Sequence, residues 1–212
     1  IVPDLDQPDI YYKGRDCVQE CQCAYPKSLT MKKIKSNCKS QLSIPEQLSI
    51  PDLDAFDEIK CPWDDSANRY HDEKRYTERA GQCSRAKGMW GGSYTRSYHC
   101  MMQWAGQGLY KVGQRILDWG SGCGHKGSWL RQLYGVYVYG IDVEPLPVKW
   151  SQQHSMGSFC ATDGTKLDFL KDNYFDHVHT NAAIHHLPMD KQCHVVKEFI
   201  RVTKVGGTIA IV

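Results

Sequence analysis

From Gln114 onward the chain alternates short apolar runs, partly β-branched, with longer stretches whose apolar residues recur at helical spacing. Runs at 115–118, 136–142, 158–161, 175–180 and 207–212 read as strands, and 128–134, 146–154, 165–170 and 189–203 read as helices. The strand runs are apolar at nearly every position rather than at alternate ones. That is the pattern of a parallel sheet covered on both faces. The expected fold is therefore α/β, a Rossmann-like and mostly parallel sheet with right-handed crossovers. Such a sheet brings the C-terminal ends of its strands to one edge, where ligands of open α/β sheets bind.

The preceding residues are less regular. Residues 1–60 show no sustained hydrophobic period and carry two copies of a hexapeptide, Gln-Leu-Ser-Ile-Pro-Glu at 41–46 and Gln-Leu-Ser-Ile-Pro-Asp at 47–52. Two short copies do not make a solenoid, and each Pro turns the residue before it away from helix. An irregular, Cys-containing extension or linker is expected there. Residues 61–113 read as a helical cap segment ahead of the core. Within it, 68–79 is expected to be a short surface helix, 88–92 a flexible aromatic turn, and 94–105 a helix striped with Tyr94, Tyr98, Met101 and Met102. Such a stripe is more often core packing than a ligand box. The sheet core occupies 114–212.

The chemistry gathers at the predicted strand ends. The first strand closes on Asp118 and turns at once through Gly120, Gly122 and Gly124. Glycines allow φ > 0 and let a ligand lie on bare main chain, and the N–H groups of the following helix suit an electron-rich ligand group. A carboxylate beside them suits a positive one. The second strand closes on Asp142, one βαβ unit later, where an acid can accept both hydroxyls of a ribose; Glu144 is the alternative contact. Asp163, after the third strand, is placed to accept from an adenine amino group, to open an Asx turn toward Thr165, or to do both. The fourth strand leads to Asn181 and the pair His185-His186. In an extended segment one of two neighbouring histidines faces a cleft, because adjacent side chains diverge.

Composition narrows the partners. A net charge of +2 is too small to argue for nucleic acid or an anionic membrane surface, and no apolar run approaches the roughly 20 residues of a membrane helix. Ten cysteines are many for the length, yet no Cys-x-x-Cys pair occurs, so no metal site is expected. Cys17, Cys21, Cys23 and Cys38 crowd the first part of the chain. The scattered six, Cys61, Cys83, Cys100, Cys123, Cys160 and Cys193, read as reduced core thiols. That prefers the cytoplasm, with the secretory pathway kept open by the cysteine count.

The sequence resembles the class I S-adenosylmethionine-dependent methyltransferases, in particular the small-molecule group called type 11. The resemblance rests on five motifs in order: Leu-Asp-Trp-Gly-Ser-Gly-Cys-Gly, Gly-Ile-Asp-Val, Ala-Thr-Asp-Gly, Tyr-Phe-Asp-His-Val-His-Thr-Asn with its following His-His-Leu, and Glu-Phe-Ile-Arg-Val-Thr-Lys-Val-Gly-Gly-Thr. It implies S-adenosyl-L-methionine as cofactor and methyl transfer to a small-molecule or lipid acceptor. It also implies a cofactor-binding set of Asp118, Gly120, Ser121, Gly122, Gly124, Asp142, Val143, Asp163, Gly164 and Asn181. The glycines would pass beneath the methionine half, Asp142 would hold the ribose, Asp163 the adenine, and Asn181 would line the floor near the methyl group. If the acceptor must lose a proton, His185 is the first candidate base and His186 the second.

Two departures from the family are visible. Val205 stands where the family commonly has Pro, and the chain stops inside the fifth strand where the family continues, so a fragment or truncated product is expected. Two rival readings stay open. Gly122-Cys-Gly124-His-Lys-Gly127 also spells a dinucleotide fingerprint, the mark of a nicotinamide-dependent oxidoreductase, although Asp118 would repel a pyrophosphate. The other is a methyltransferase-like scaffold without turnover.

Overall fold

The computed structural model describes residues 9–12, 31–33, 56–63, 73–88 and 110–211. The expected stripe at 94–105 and all but the first residue of the turn at 88–92 lie outside them. Five strands follow the apolar runs closely. With two short strands nearer the N-terminus they are β1 Asp9–Tyr12, β2 Met31–Lys33, β3 Arg115–Trp119, β4 Tyr137–Asp142, β5 Ser158–Ala161, β6 Phe175–Thr180 and β7 Thr203–Ile211. The helices are α1 Glu73–Gly88, α2 His125–Tyr134, α3 Pro145–His154 and α4 Met189–Val202, with a 3₁₀ turn at Ile184–His186.

Among the described residues the strands form one sheet in the order β2-β1-β7-β6-β3-β4-β5, and every neighbouring pair is parallel. The sheet is α/β and Rossmann-like, as the continuous apolar strands predict. Chain order reverses at β3: β4 and β5 run outward on one side, β6 and β7 on the other. Strands β1 and β2 come from the part expected to be irregular. Their four and three residues are too short to leave a hydrophobic period, and they satisfy the main-chain edge that β7 would otherwise expose.

Side chains alternate across the sheet, so each face carries its own core. On one face Leu117, Trp119, Ile141, Val178 and Ile209 meet α4 through Val195, Val196, Phe199 and Val202. The spacing of those four residues puts them on a single stripe of the helix. On the other face Ile116, Val138 and Ala210 lie under Leu130 of α2, and Phe159 and Ala161 under Val148 of α3.

Three local expectations are corrected. Residues 165–170 are not a helix. Asp163 captures the hydroxyl of Thr165 at 2.6 Å, the Leu170 N–H closes a tight turn on the carbonyl of Leu167 at 2.8 Å, and the carbonyls of Leu167 and Leu170 also accept the Arg201 guanidinium at 2.7 and 2.9 Å. The surface helix expected at 68–79, of which 68–72 lie outside the described residues, runs on past Arg79 to Gly88 as α1. The last strand starts before its glycine pair, at Thr203, with a register shift that loops out the residues between the Phe175 and His177 pairings.

A buried polar row replaces apolar packing along the first residues of β6. His177 Nε2 donates to Gln114 Oε1 at 3.1 Å, an acceptor-only atom, so its Nδ1 accepts from the Thr208 hydroxyl at 2.7 Å. Tyr110 contributes a hydroxyl 3.3 Å from His179 Nε2. Burial, the dominant cause, pushes the His177 pKa from 6.5 down to about 4 and that of His179 well below its usual value. A neutral His177 in the fold therefore opposes proton uptake that the unfolded chain accepts below pH 6.5. Its contribution is present above that pH and is lost as the pH falls toward 4, a change of up to about 3 kcal/mol. Urea midpoints followed by circular dichroism from pH 8 to 4.5 should fall more steeply for the wild type than for His177→Gln; parallel curves would refute the assignment.

Candidate active site

Gly120 shows how the site is built. β3 ends at Trp119, and the next two residues give their N–H groups to the carbonyl of Ile141, at 2.8 and 2.9 Å. Gly120 has φ 73° and lies so close to Ala183 that an added Cβ would sit 2.3 Å from the alanine methyl. The loops after β3 and β6 thus touch, although their chains leave toward opposite faces of the sheet. Gly122 differs. It has φ 52°, donates to Asp142 Oδ2 at 2.8 Å, and has open space where its Cβ would be.

That open space belongs to a cavity of about 670 Å³ at the C-terminal edge of the sheet. Its wall contains Gly120, Gly122, Asp142, Val143, Asp163, Gly164, Asn181 and His186, all expected from sequence. The ends of β3, β4, β5 and β6 therefore do meet at one hollow. Asp142 is held by two backbone donors, Gly122 N–H on one oxygen and Glu144 N–H on the other at 2.9 Å. Burial still raises its carboxyl above the ordinary range, those two donors opposing it. Asp163 both closes its Asx turn and stands in the wall.

Four expected residues stand elsewhere. Asp118 is fully buried one step behind the wall, on the sheet face under α2, and neither carboxylate oxygen has a hydrogen-bond partner among the described residues. Burial pushes its pKa up, with Lys126 pulling it down and Asp142 adding to the rise. Ser121 is likewise buried with its hydroxyl unpartnered. Gly124 is not in the wall; it caps α2 with φ 69°, and an added Cβ would strike the Phe159 ring at 2.6 Å. His185 is exposed and outside the wall, whereas His186 lines it. Within the 3₁₀ turn the two rings lie against each other, their centroids 4.1 Å apart, yet His186 reaches the cavity wall and His185 does not, which reverses the expected order of preference.

The structure also adds residues. Trp119 belongs to the first motif itself; its indole N–H donates to the carbonyl of Gly164 at 2.7 Å and ties β3 to the loop after β5. Ile141, Pro147, Ala182, Ala183 and Leu187 supply apolar surface. Arg79, Gln82 and Cys123 were not anticipated. The first two come from α1, and no local pattern could announce a contact made across more than thirty residues of chain.

Cysteine chemistry is corrected as well. Cys61 is bridged to Cys160 and Cys83 to Cys123, and Cys193 is disulfide-bonded too. The bridges join residues 99 and 40 positions apart, a proximity that sequence spacing does not encode.

Comparison with known proteins agrees with this geometry. The family model described as a methyltransferase domain matches residues 117–211, just under half of the chain. The core of this chain is a class I methyltransferase domain of the S-adenosylmethionine-dependent kind. The chain is 34% identical over 117 residues to 2-methyl-6-phytyl-1,4-hydroquinone methyltransferase of Synechocystis, covering 53% of this chain and 36% of that protein. It is 31% identical over 105 residues to a phosphoethanolamine N-methyltransferase of Triticum aestivum, covering 48% and 20%. The chain thus spans about a third of the first relative and a fifth of the second. A chain from a complex of the Haloferax volcanii Trm112 methyltransferase activator shares the fold, with TM-score 0.50 and 24% identity over 62% of this chain and 58% of its own. The methyltransferase domain accounts for the glycine run, and the nicotinamide reading of Gly122 to Gly127 is set aside.

The contact between the two loops is open to test. Gly120→Ala adds both a clash and a positive-φ penalty, and should cost about 1–3 kcal/mol in a urea titration. Adding Ala183→Gly should recover the steric share and leave the backbone share. An unaltered midpoint for Gly120→Ala would mean that the two loops are not in contact.

Proposed function

We propose that this protein transfers the methyl group of S-adenosylmethionine to a small-molecule or lipid acceptor. The observation that carries the reading is the single cavity into which β3, β4, β5 and β6 all deliver their ends. The residues present fit the cofactor. Gly122 leaves room where a side chain would stand, α2 begins without a side-chain cap, and Asp118 is a buried carboxylate lacking a partner among the described residues. A methionine ammonium near the glycine loop would offset the burial cost of that carboxylate by charge, acting from one residue behind the wall. Asp142 suits the ribose hydroxyls, since each of its oxygens keeps a lone pair beyond its backbone donor. Asp163 suits the adenine end, and Trp119 and Ile141 offer apolar surface between them.

When bound, the cofactor supplies an electrophilic methyl on a sulfonium, so the protein's share is alignment and exclusion of water. Asn181, Ala183, His186 and Leu187 form the wall on the β6 side, where an acceptor would approach. His186, which lines the cavity, rather than His185, which does not, is placed to take a proton from an acceptor hydroxyl or amine. The two relatives are named for a phytyl hydroquinone and for phosphoethanolamine, molecules of unlike chemistry. Their common part therefore supports the cofactor half and leaves the acceptor as a small molecule or lipid. The disulfides favour an oxidising compartment over the cytoplasm. None of the described helices is long and apolar enough to cross a membrane.

Titration calorimetry with S-adenosylhomocysteine should give saturable binding, weakened at least tenfold (about 1.4 kcal/mol) by Asp142→Ala. In a methyl-transfer screen over phenols, hydroquinones and amines, His186→Ala should lower kcat while S-adenosylhomocysteine affinity stays unchanged. No binding by the wild type would refute the cofactor reading; full turnover by His186→Ala would reduce that histidine to a wall residue.

A further inference from the structure

The cavity has one wall that does not come from the sheet. Arg79 and Gln82 of α1 face the loop after β4, across from the glycine loop. Cys83 is the next residue along and lies on the same helical face as Arg79, four positions earlier. It is bridged to Cys123, which is itself part of the glycine loop and of the cavity wall. A covalent bond therefore joins the element that bends beneath a ligand to the element that flanks it.

The other described contacts that hold α1 in this position are weaker in kind. Arg79 pairs with Glu144, with 37% and 53% of their side chains exposed, and Tyr76 donates to Gln153 at 2.5 Å on the surface. Exposed pairs of this sort contribute little. Among the residues of α1 whose burial is described, Cys83 is buried and the others are half-buried or exposed. No described residue of α1 belongs to an apolar cluster of the core. A His125 ring nitrogen lies 2.8 Å from the carbonyl of Cys83, so the start of α2 also leans on the bridged turn.

We propose that the Cys83–Cys123 disulfide is a thiol-operated latch on the cofactor cavity. This rests on the cofactor reading above. Oxidised, the bridge holds Arg79 and Gln82 in the wall. Opening begins at the sulfur of Cys123, a half-buried residue of the cavity wall, since Cys83 has no exposed surface. A thiolate of a dithiol reductant bonds to that sulfur and Cys83 leaves as thiolate. The second thiol of the reductant then displaces Cys123 and closes the reductant's own disulfide. Two electrons and two protons end on the protein as two thiols, and the dithiol is oxidised. With the bond gone, α1 is left with its surface contacts and the His125 contact to the Cys83 carbonyl, and the wall formed by Arg79 and Gln82 loosens. Linkage makes the effect reciprocal: a ligand seated against Cys123 covers the sulfur that must be attacked and slows reduction.

The test uses the whole oxidised chain and S-adenosylhomocysteine as the probe. Cys83→Ser should bind it about tenfold more weakly than wild type, and Cys61→Ser, which opens the other described bridge away from the cavity, should bind it as wild type does. Hydrogen exchange over 73–88 should be faster in Cys83→Ser than in wild type, with or without the probe. The wild type treated with dithiothreitol, its new thiols located by alkylation and its fold checked by circular dichroism, gives the same comparison without a substitution. Saturating probe should slow appearance of the Cys123 thiol. Wild-type affinity together with wild-type exchange in both Cys83→Ser and the reduced protein overturns the latch while leaving the cofactor reading intact. If the oxidised wild type binds no probe at all, the cofactor reading falls and the latch falls with it.

Discussion

The site depends on the contact between Gly120 and Ala183. β3 and β6 are neighbours in the sheet, but the chain leaves β3 toward α2 on one face and leaves β6 toward α4 on the other. Where two parallel strands part in this way, their end loops diverge and open a crevice. Its floor is closed where the bare main chain of Gly120 meets the Ala183 methyl, a contact with no room for a second side chain. Glycine at 120 permits that closure, with its positive φ and no Cβ to meet the alanine. The neighbouring turn then presents Gly122 to open space and its N–H to Asp142, which couples the first two strand ends mechanically.

Charge at this crevice is arranged in depth. Asp142 and Asp163 stand in the wall with some of their valence taken by nearby donors, which orients them without exhausting them. Asp118 stands behind, dry and unpartnered among the described residues. A buried carboxylate in that condition is costly on its own and becomes favourable when a positive ligand group arrives. The polar row of His177, Thr208 and Gln114 is of another kind: its partners are internal and fully engaged, and it links β3, β6 and β7 rather than serving the cavity.

The motif residues were legible because each strand end announces itself locally. An apolar run, an acid and a small residue sit within a few positions, and parallel topology then brings such ends together whatever their separation in sequence. Asp142, Asp163 and Asn181 could be placed at one edge on that logic. Distinguishing His185 from His186 was beyond it, because the two rings lie against each other in a 3₁₀ turn and only the packing of the loop decides which one meets the cavity. The 165–170 stretch has helical spacing, but Arg201, more than thirty residues later, engages the carbonyls of Leu167 and Leu170.

What the amino-acid order alone determined is the sheet, its parallel sense, the glycine turn and the acids at its edge, since all of these follow from periods and neighbours a few residues apart. Tertiary structure decided the rest: which histidine meets the cavity, that Asp118 is withdrawn from its wall, that β1 and β2 extend the sheet beside β7, and that Cys61, Cys83, Cys123, Cys160 and Cys193 are bridged. Each of these turns on which distant segments come within a few ångströms of one another. Long-range packing sets such distances, and no local pattern of residues carries them.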